Sequence, residues 1–153
     1  MKRTGWVFLL LLFTPALHAL DVTVPGSFTI SGVTRTDGKV MLPAERTYQN
    51  IRILDKSTYR FVSSCPEPCV QPLGSVSPVV ADVRPAQTRA GMWIVSVDFN
   101  RAWRITFLVF KKGNDFSIKL PQYFTFLSDP LRTQTREVVL QAVLQEENEM
   151  HAR

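Results

Sequence analysis

Met92-Trp93-Ile94-Val95-Ser96-Val97-Asp98-Phe99, then Asn100-Arg101-Ala102, then Trp103-Arg104-Ile105-Thr106-Phe107-Leu108-Val109-Phe110 is the stretch on which the reading of this chain turns. Both runs are rich in β-branched and aromatic residues, which suit a pleated, half-buried surface. Side chains alternate along a strand, so Trp93, Val95, Val97 and Phe99 share a face, as do Trp103, Ile105, Phe107 and Val109. The opposite face carries Ser96, Asp98, Arg104 and Thr106, but also Ile94, Leu108 and Phe110. That mixture predicts a strand pair covered on one side and partly covered on the other. The 100–102 break is short enough for a hairpin. Lys112-Gly113-Asn114-Asp115 supplies the φ > 0 residues of a second one, into Phe116-Ser117-Ile118-Lys119-Leu120. A buried helix over 105–110 is the competing reading. Apolar or β-branched residues at every position there, closed by Gly113 and Asn114, favour a strand.

Working back toward the N-terminus, Val22, Val24, Phe28 and Ile30 alternate in part, interrupted by Pro25-Gly26-Ser27. A proline inside such a run points to an edge strand or to two short pieces. Thr36-Asp37-Gly38-Lys39 is the plainest hairpin signal in the chain, between Val33 and Val40-Met41-Leu42. Pro43-Ala44-Glu45-Arg46 reads as a loop. Residues 48–54 offer Ile51, Ile53 and Leu54; Asp55-Lys56-Ser57 reads as a turn; Thr58-Tyr59-Arg60-Phe61-Val62 reads as another short strand. Residues 63–88 change character, with Pro66, Pro68, Pro72, Pro78 and Pro85. Proline fixes φ and removes a donor, so a long connection with one short edge strand over 79–83 is expected. It divides the N-terminal strands from the 92–127 set. Long ordered connections are often functional.

Beyond Leu120, Pro121-Gln122-Tyr123-Phe124-Thr125-Phe126-Leu127 is a further aromatic run. Ser128-Asp129-Pro130 opens a helix, with Asp129 as the expected N-cap and Pro130 at the first helical position. Leu131, Val138, Val139, Ala142 and Val143 supply its apolar stripe, widened by Leu140 and Leu144. Glu146, Glu147 and Glu149 crowd the end where the macrodipole disfavours negative charge, so the helix is expected over about 130–146, fraying after Gln145.

A length of 153 residues suits one domain. Met1-Lys2-Arg3, an apolar run over 6–13 and Ala19 after Leu17-His18 have the form of a secretory leader, residues 1–19. The run is far short of the ~20 residues that a membrane span needs. No Cys lies near the junction to suggest a lipid anchor. Removing Lys2 and Arg3 lowers the formal charge of +5 by two, to +3. This excess has no dense basic run, which argues against a nucleic-acid binder.

The two His are His18, inside the expected leader, and His151, near the end. A body without His excludes Ser-His-Asp and Cys-His catalysis as usually built, and removes the commonest metal ligand. Asp98, Asp115 and Asp129 fall at strand ends or turns, where Asp is ordinary. Arg84, Arg89, Arg101 and Arg104 read as solvated arginines around the hairpin, and Trp93 and Trp103 as core. Cys65-Pro66-Glu67-Pro68-Cys69 is the one local motif. In an exported chain the pair is expected to form a structural disulfide. A redox pair or a Cu(I) thiolate site is the alternative; the redox spacing usually has two intervening residues, and no His stands near.

These readings predict a mainly-β domain over 20–153: a small antiparallel β-sandwich or partly open barrel with one C-terminal amphipathic helix. The expected function is that of an exported, non-catalytic accessory protein of a bacterial envelope, acting in the periplasm or secreted. It would bind another protein of an assembly or secretion apparatus, with no cofactor, no nucleic acid and no span after the leader. A small-ligand or inhibitor module is the alternative, and a thiol or copper protein using Cys65 and Cys69 is a further one. The expected docking surface is an open edge over 20–30 (Val22, Val24, Phe28) or the 63–88 connection (Val70, Val79, Val83), and not the central hairpin.

Overall fold

A computed structural model describes residues 18–46 and 48–153. The first strands are β1 (Ala19–Val24), β2 (Phe28–Thr36), β3 (Lys39–Met41) and β4 (Ile51–Ile53). Helix α1 (Lys56–Ser64) follows, then β5 (Cys69–Val70), β6 (Pro78–Pro85), β7 (Met92–Phe99), β8 (Trp103–Lys112), β9 (Asp115–Lys119) and β10 (Phe124–Phe126). Helix α2 (Asp129–His151) ends the chain. Of the expected leader, residues 1–17 lie outside the described residues, and Ala19 is the first residue of β1. Among the described residues no helix is long and apolar enough to cross a membrane.

Among the described residues two sheets form, with no closed barrel, as a sandwich-like fold. The first runs β10-β2-β1-β5, with β3 continuing on β2; the second runs β4-β8-β7-β6, with β9 on β8. All strand pairs are antiparallel except β1 with β5. The β7–β8 register sets Phe99 opposite Trp103, Val97 opposite Ile105 and Val95 opposite Phe107, so the alternating apolar faces coincide. All of these side chains are buried. Phe28 and Phe124 from the first sheet meet Phe99 and Phe107 from the second, with centroids 5.3–6.0 Å apart. That separation is the range in which tilted and edge-on aromatic pairs attract. The turns follow the residue types: Asp37 and Gly38, and Gly113, adopt positive φ between paired strands. Helix α2 lies chiefly against β6 and buries Leu131, Thr135, Val139 and Val143, one residue per turn.

Several expectations are corrected. Residues 58–62 are not a strand, and 55–57 are not a free turn. Asp55 caps α1 by accepting from the Thr58 N–H at 2.6 Å, and Thr58 and Val62, four apart, form its buried face. Residues 20–30 are not an edge strand. Pro25-Gly26-Ser27 turns β1 into β2, and β1 lies between β2 and β5. Residues 63–88 are more than a connection, since they include the end of α1, β5 and the eight-residue β6, which does form an edge. They do not divide two strand sets either: β4 joins the second sheet through β8, and β10 joins the first through β2. The N-cap of α2 is Ser128, accepting from Leu131 N–H at 3.2 Å; Asp129 sits in the first turn, where its charge complements the dipole. The helix continues to His151, because Glu147 pairs with Lys111 of β8 and Gln145 donates to Glu149 at 3.2 Å.

Candidate interaction surface

The corner formed by β3, β4 and α1 is tied down from several sides. At the N-terminus of α1, burial pushes the Asp55 carboxyl up. Hydrogen bonds from the Thr58 and Ser57 N–H groups and hydroxyls outweigh it and hold the group below its ordinary pKa. At the other end, the Arg35 guanidinium from β2 donates to the Cys65 carbonyl at 2.6 Å, which fits the negative end of a helix. Cys65 and Cys69 are joined, which delivers the chain from α1 directly into β5 beside β1. Just beyond, the buried Gln71 side chain accepts from the Trp103 indole N–H at 2.8 Å and donates to the Thr58 hydroxyl at 3.1 Å. This relay links β8 of the second sheet to α1, and the Gln71 backbone N–H, donating to the Thr23 carbonyl at 2.8 Å, ties it to β1 of the first.

A hollow of about 330 Å³ opens at this corner, lined by Val40, Leu42, Gln49, Arg52, Ile53 and Tyr59. Tyr59 stands at 39 % exposure with its hydroxyl accepting from the Val40 N–H at 3.1 Å, which ties its ring to β3. Met41, Tyr48 and Leu54, from the same 41–59 stretch, are also large apolar side chains left exposed. The lining itself combines an aromatic and an Arg with aliphatic side chains, a combination that contact surfaces favour. Arg52 lies directly opposite Arg104 in the β4–β8 ladder. Arg104 is satisfied by a two-point contact with Asp98 at 2.6 and 2.9 Å, and the hydrogen bond to Asp98 raises its already high pKa. Among the described residues Arg52 makes no ion pair.

The residues singled out from sequence fall elsewhere. Val22, Val24 and Phe28 are fully buried, so their side chains belong to the core. Val70 and Val79 are exposed and Val83 is half-buried, but Val70 is on β5 of the first sheet and the other two are on β6 of the second. Cys65 and Cys69 are buried, with only Pro66-Glu67-Pro68 exposed at the tip between them. Trp93 and Trp103 are core. Of the hairpin arginines, Arg104 is paired with Asp98, Arg89 lies 5.2 Å over the Phe110 ring and Arg84 approaches Asp82 at 4.0 Å. The hollow itself was missed. Its one sequence signal is Asp55 three residues before Thr58, an N-cap pattern masked by the strand-like Thr58-Tyr59-Arg60-Phe61-Val62.

The fold and this corner define a sandwich-like β domain that carries an open hollow of mixed lining, with Arg52 and Gln49 among aliphatic and aromatic side chains. Compared with protein-family models, curated proteins and solved structures, the chain matches none.

Proposed function

We propose that this chain is an exported, non-catalytic accessory protein of a bacterial envelope. It binds another protein of an assembly or secretion apparatus at the hollow between β3, β4 and α1. The observation that carries the reading is the grouping of Val40, Leu42, Ile53 and Tyr59 around one opening, with Arg52 beside it. A rigid aromatic, an aliphatic floor and an arginine are the residue types that concentrate binding energy at protein contacts. Export is supported by the Lys2-Arg3 start, the apolar run over 6–13 and the small Ala19. Small-ligand or inhibitor binding is the second reading, and Tyr59 in the lining of the hollow is the aromatic side chain it would use.

A photo-crosslinking residue placed at position 59, and separately at exposed position 79, tests the proposal in intact cells. Adducts of one partner from position 59 and none from position 79 are expected. Adducts from position 79 alone would move the surface to β6, and none from either would remove the reading. Native mass spectrometry after gentle purification separates the second reading, since a bound small molecule adds a discrete mass. The same spectra should show a mature chain that begins at Leu20.

A further inference from the structure

We infer that the occupant of the hollow is an acidic segment of the partner, which inserts one apolar side chain and sets a carboxylate against Arg52. This rests on the reading of the hollow as the docking surface and names the chemistry of what docks there.

The charge distribution carries the inference. The stretch that builds the corner holds Lys39, Arg46, Arg52, Lys56 and Arg60. Its carboxylates are Asp37, Glu45 and Asp55, and two of these are engaged. Glu45 accepts from Asn50 at 2.9 Å, and Asp55 is committed to the start of α1. Arg52 and Arg104 face each other across the ladder, and like charges directly opposite repel. Asp98 relieves Arg104, while Arg52 points its charge at the hollow without a counter-ion among the described residues. A carboxylate placed there by a partner would form a charge-assisted contact beside apolar side chains. Val40, Leu42 and Ile53 give the same hollow an apolar part, so the matching ligand sets an apolar side chain beside an acidic residue.

The protein has an acidic corner of its own, where Asp82, Glu146 and Glu149 line a second hollow between β6 and α2. Leu144 and Met150 are exposed on that helix. A second copy is therefore the competing occupant, and an anionic lipid surface is another.

The test uses the mature protein and short labelled synthetic peptides with a central leucine flanked by aspartates. Controls have flanking lysines, or a central serine. Fluorescence anisotropy and amide shift mapping are read together. The acidic leucine peptide should bind, shift amides over 40–59, and lose affinity as salt rises. Arg52→Gln should weaken it about tenfold and Arg52→Glu more, while Arg84→Gln leaves it unchanged. Tyr59→Ala should weaken all leucine peptides alike. Equal affinity for lysine-flanked and aspartate-flanked peptides, or indifference to Arg52→Gln, would overturn the inference. So would Arg52-dependent self-association in sedimentation velocity, or Arg52-dependent binding to phosphatidylglycerol vesicles in place of the peptide. Crosslinks persisting from position 59 alongside any of these results would leave the docking surface standing and remove only its acidic occupant.

Discussion

Replacing Gln71 by Leu tests the relay that joins the two sheets. The Trp103 indole N–H is fully buried and donates to Gln71 Oε1 at 2.8 Å. Leucine fills a similar volume but accepts nothing, so the N–H would be left buried and unpaired, at a cost of about 2 kcal/mol. The Thr58 hydroxyl would also lose the donor at 3.1 Å, though it keeps Asp55 as its own acceptor at 3.2 Å. That smaller loss brings the total to about 2–3 kcal/mol. Urea denaturation followed by fluorescence should show a lower midpoint with an unchanged slope. The sharper measurement is the cycle with Trp103→Phe, where Trp93 serves as the fluorescent reporter. Phenylalanine has no donor to orphan, so Gln71→Leu in that background should cost less than about 1 kcal/mol, which leaves a coupling of about 1–2 kcal/mol. A similar cost of Gln71→Leu in both backgrounds would refute the reasoning. So would a cost within about 0.5 kcal/mol of zero in the parent chain.

Three further outcomes are expected. Phe107 is buried against Phe124 and Phe126, so Phe107→Ala should cost roughly 3–5 kcal/mol in the same denaturation assay. Asp55→Ala should cost about 1 kcal/mol at neutral pH. The folded pKa of Asp55 is depressed, so its contribution is present above the unfolded value and is lost as pH falls through the folded one. The difference between variant and parent should therefore close in acid and stay constant from mildly acidic to neutral pH. Changing Cys65 and Cys69 together to Ser should cost less than about 2 kcal/mol, because the bond closes a loop with only four positions of sequence separation. Thermal melts with and without reductant check this last point.

Much of the second sheet was legible locally. The period-two alternation of 92–99 and 103–110 specifies both strands, their buried faces and, through short turns, their pairing. The Asp37-Gly38 hairpin, the second turn at Gly113 and the C-terminal helix follow from residue types that few other conformations accept. Helix α1 was hidden because Thr58, Tyr59, Phe61 and Val62 are all good strand formers. The Asp55 cap, the Arg35 contact at the Cys65 carbonyl and the burial of Thr58 and Val62 override that preference, and two of those three come from tertiary packing.

Sequence by itself therefore determined the central hairpin, the helix over most of its length and the mainly-β class, because each rests on neighbours within a few residues. Which strand stands at an edge was decided only in three dimensions. Cys69 and Val70 pair along the side of β1 that the sequence left open, which closes the candidate edge at Val22 and Thr23. Val22 and Val24 are core because alternation turns them to the inner face. The exchange of β4 and β10 between sheets is likewise a pairing across long stretches of chain, and local alternation carries no information about its partner. The hollow follows from that exchange. Val40, Arg52 and Tyr59 lie on three elements with unremarkable local patterns, and they converge because β4 leaves the sheet of β3 and α1 packs across the gap.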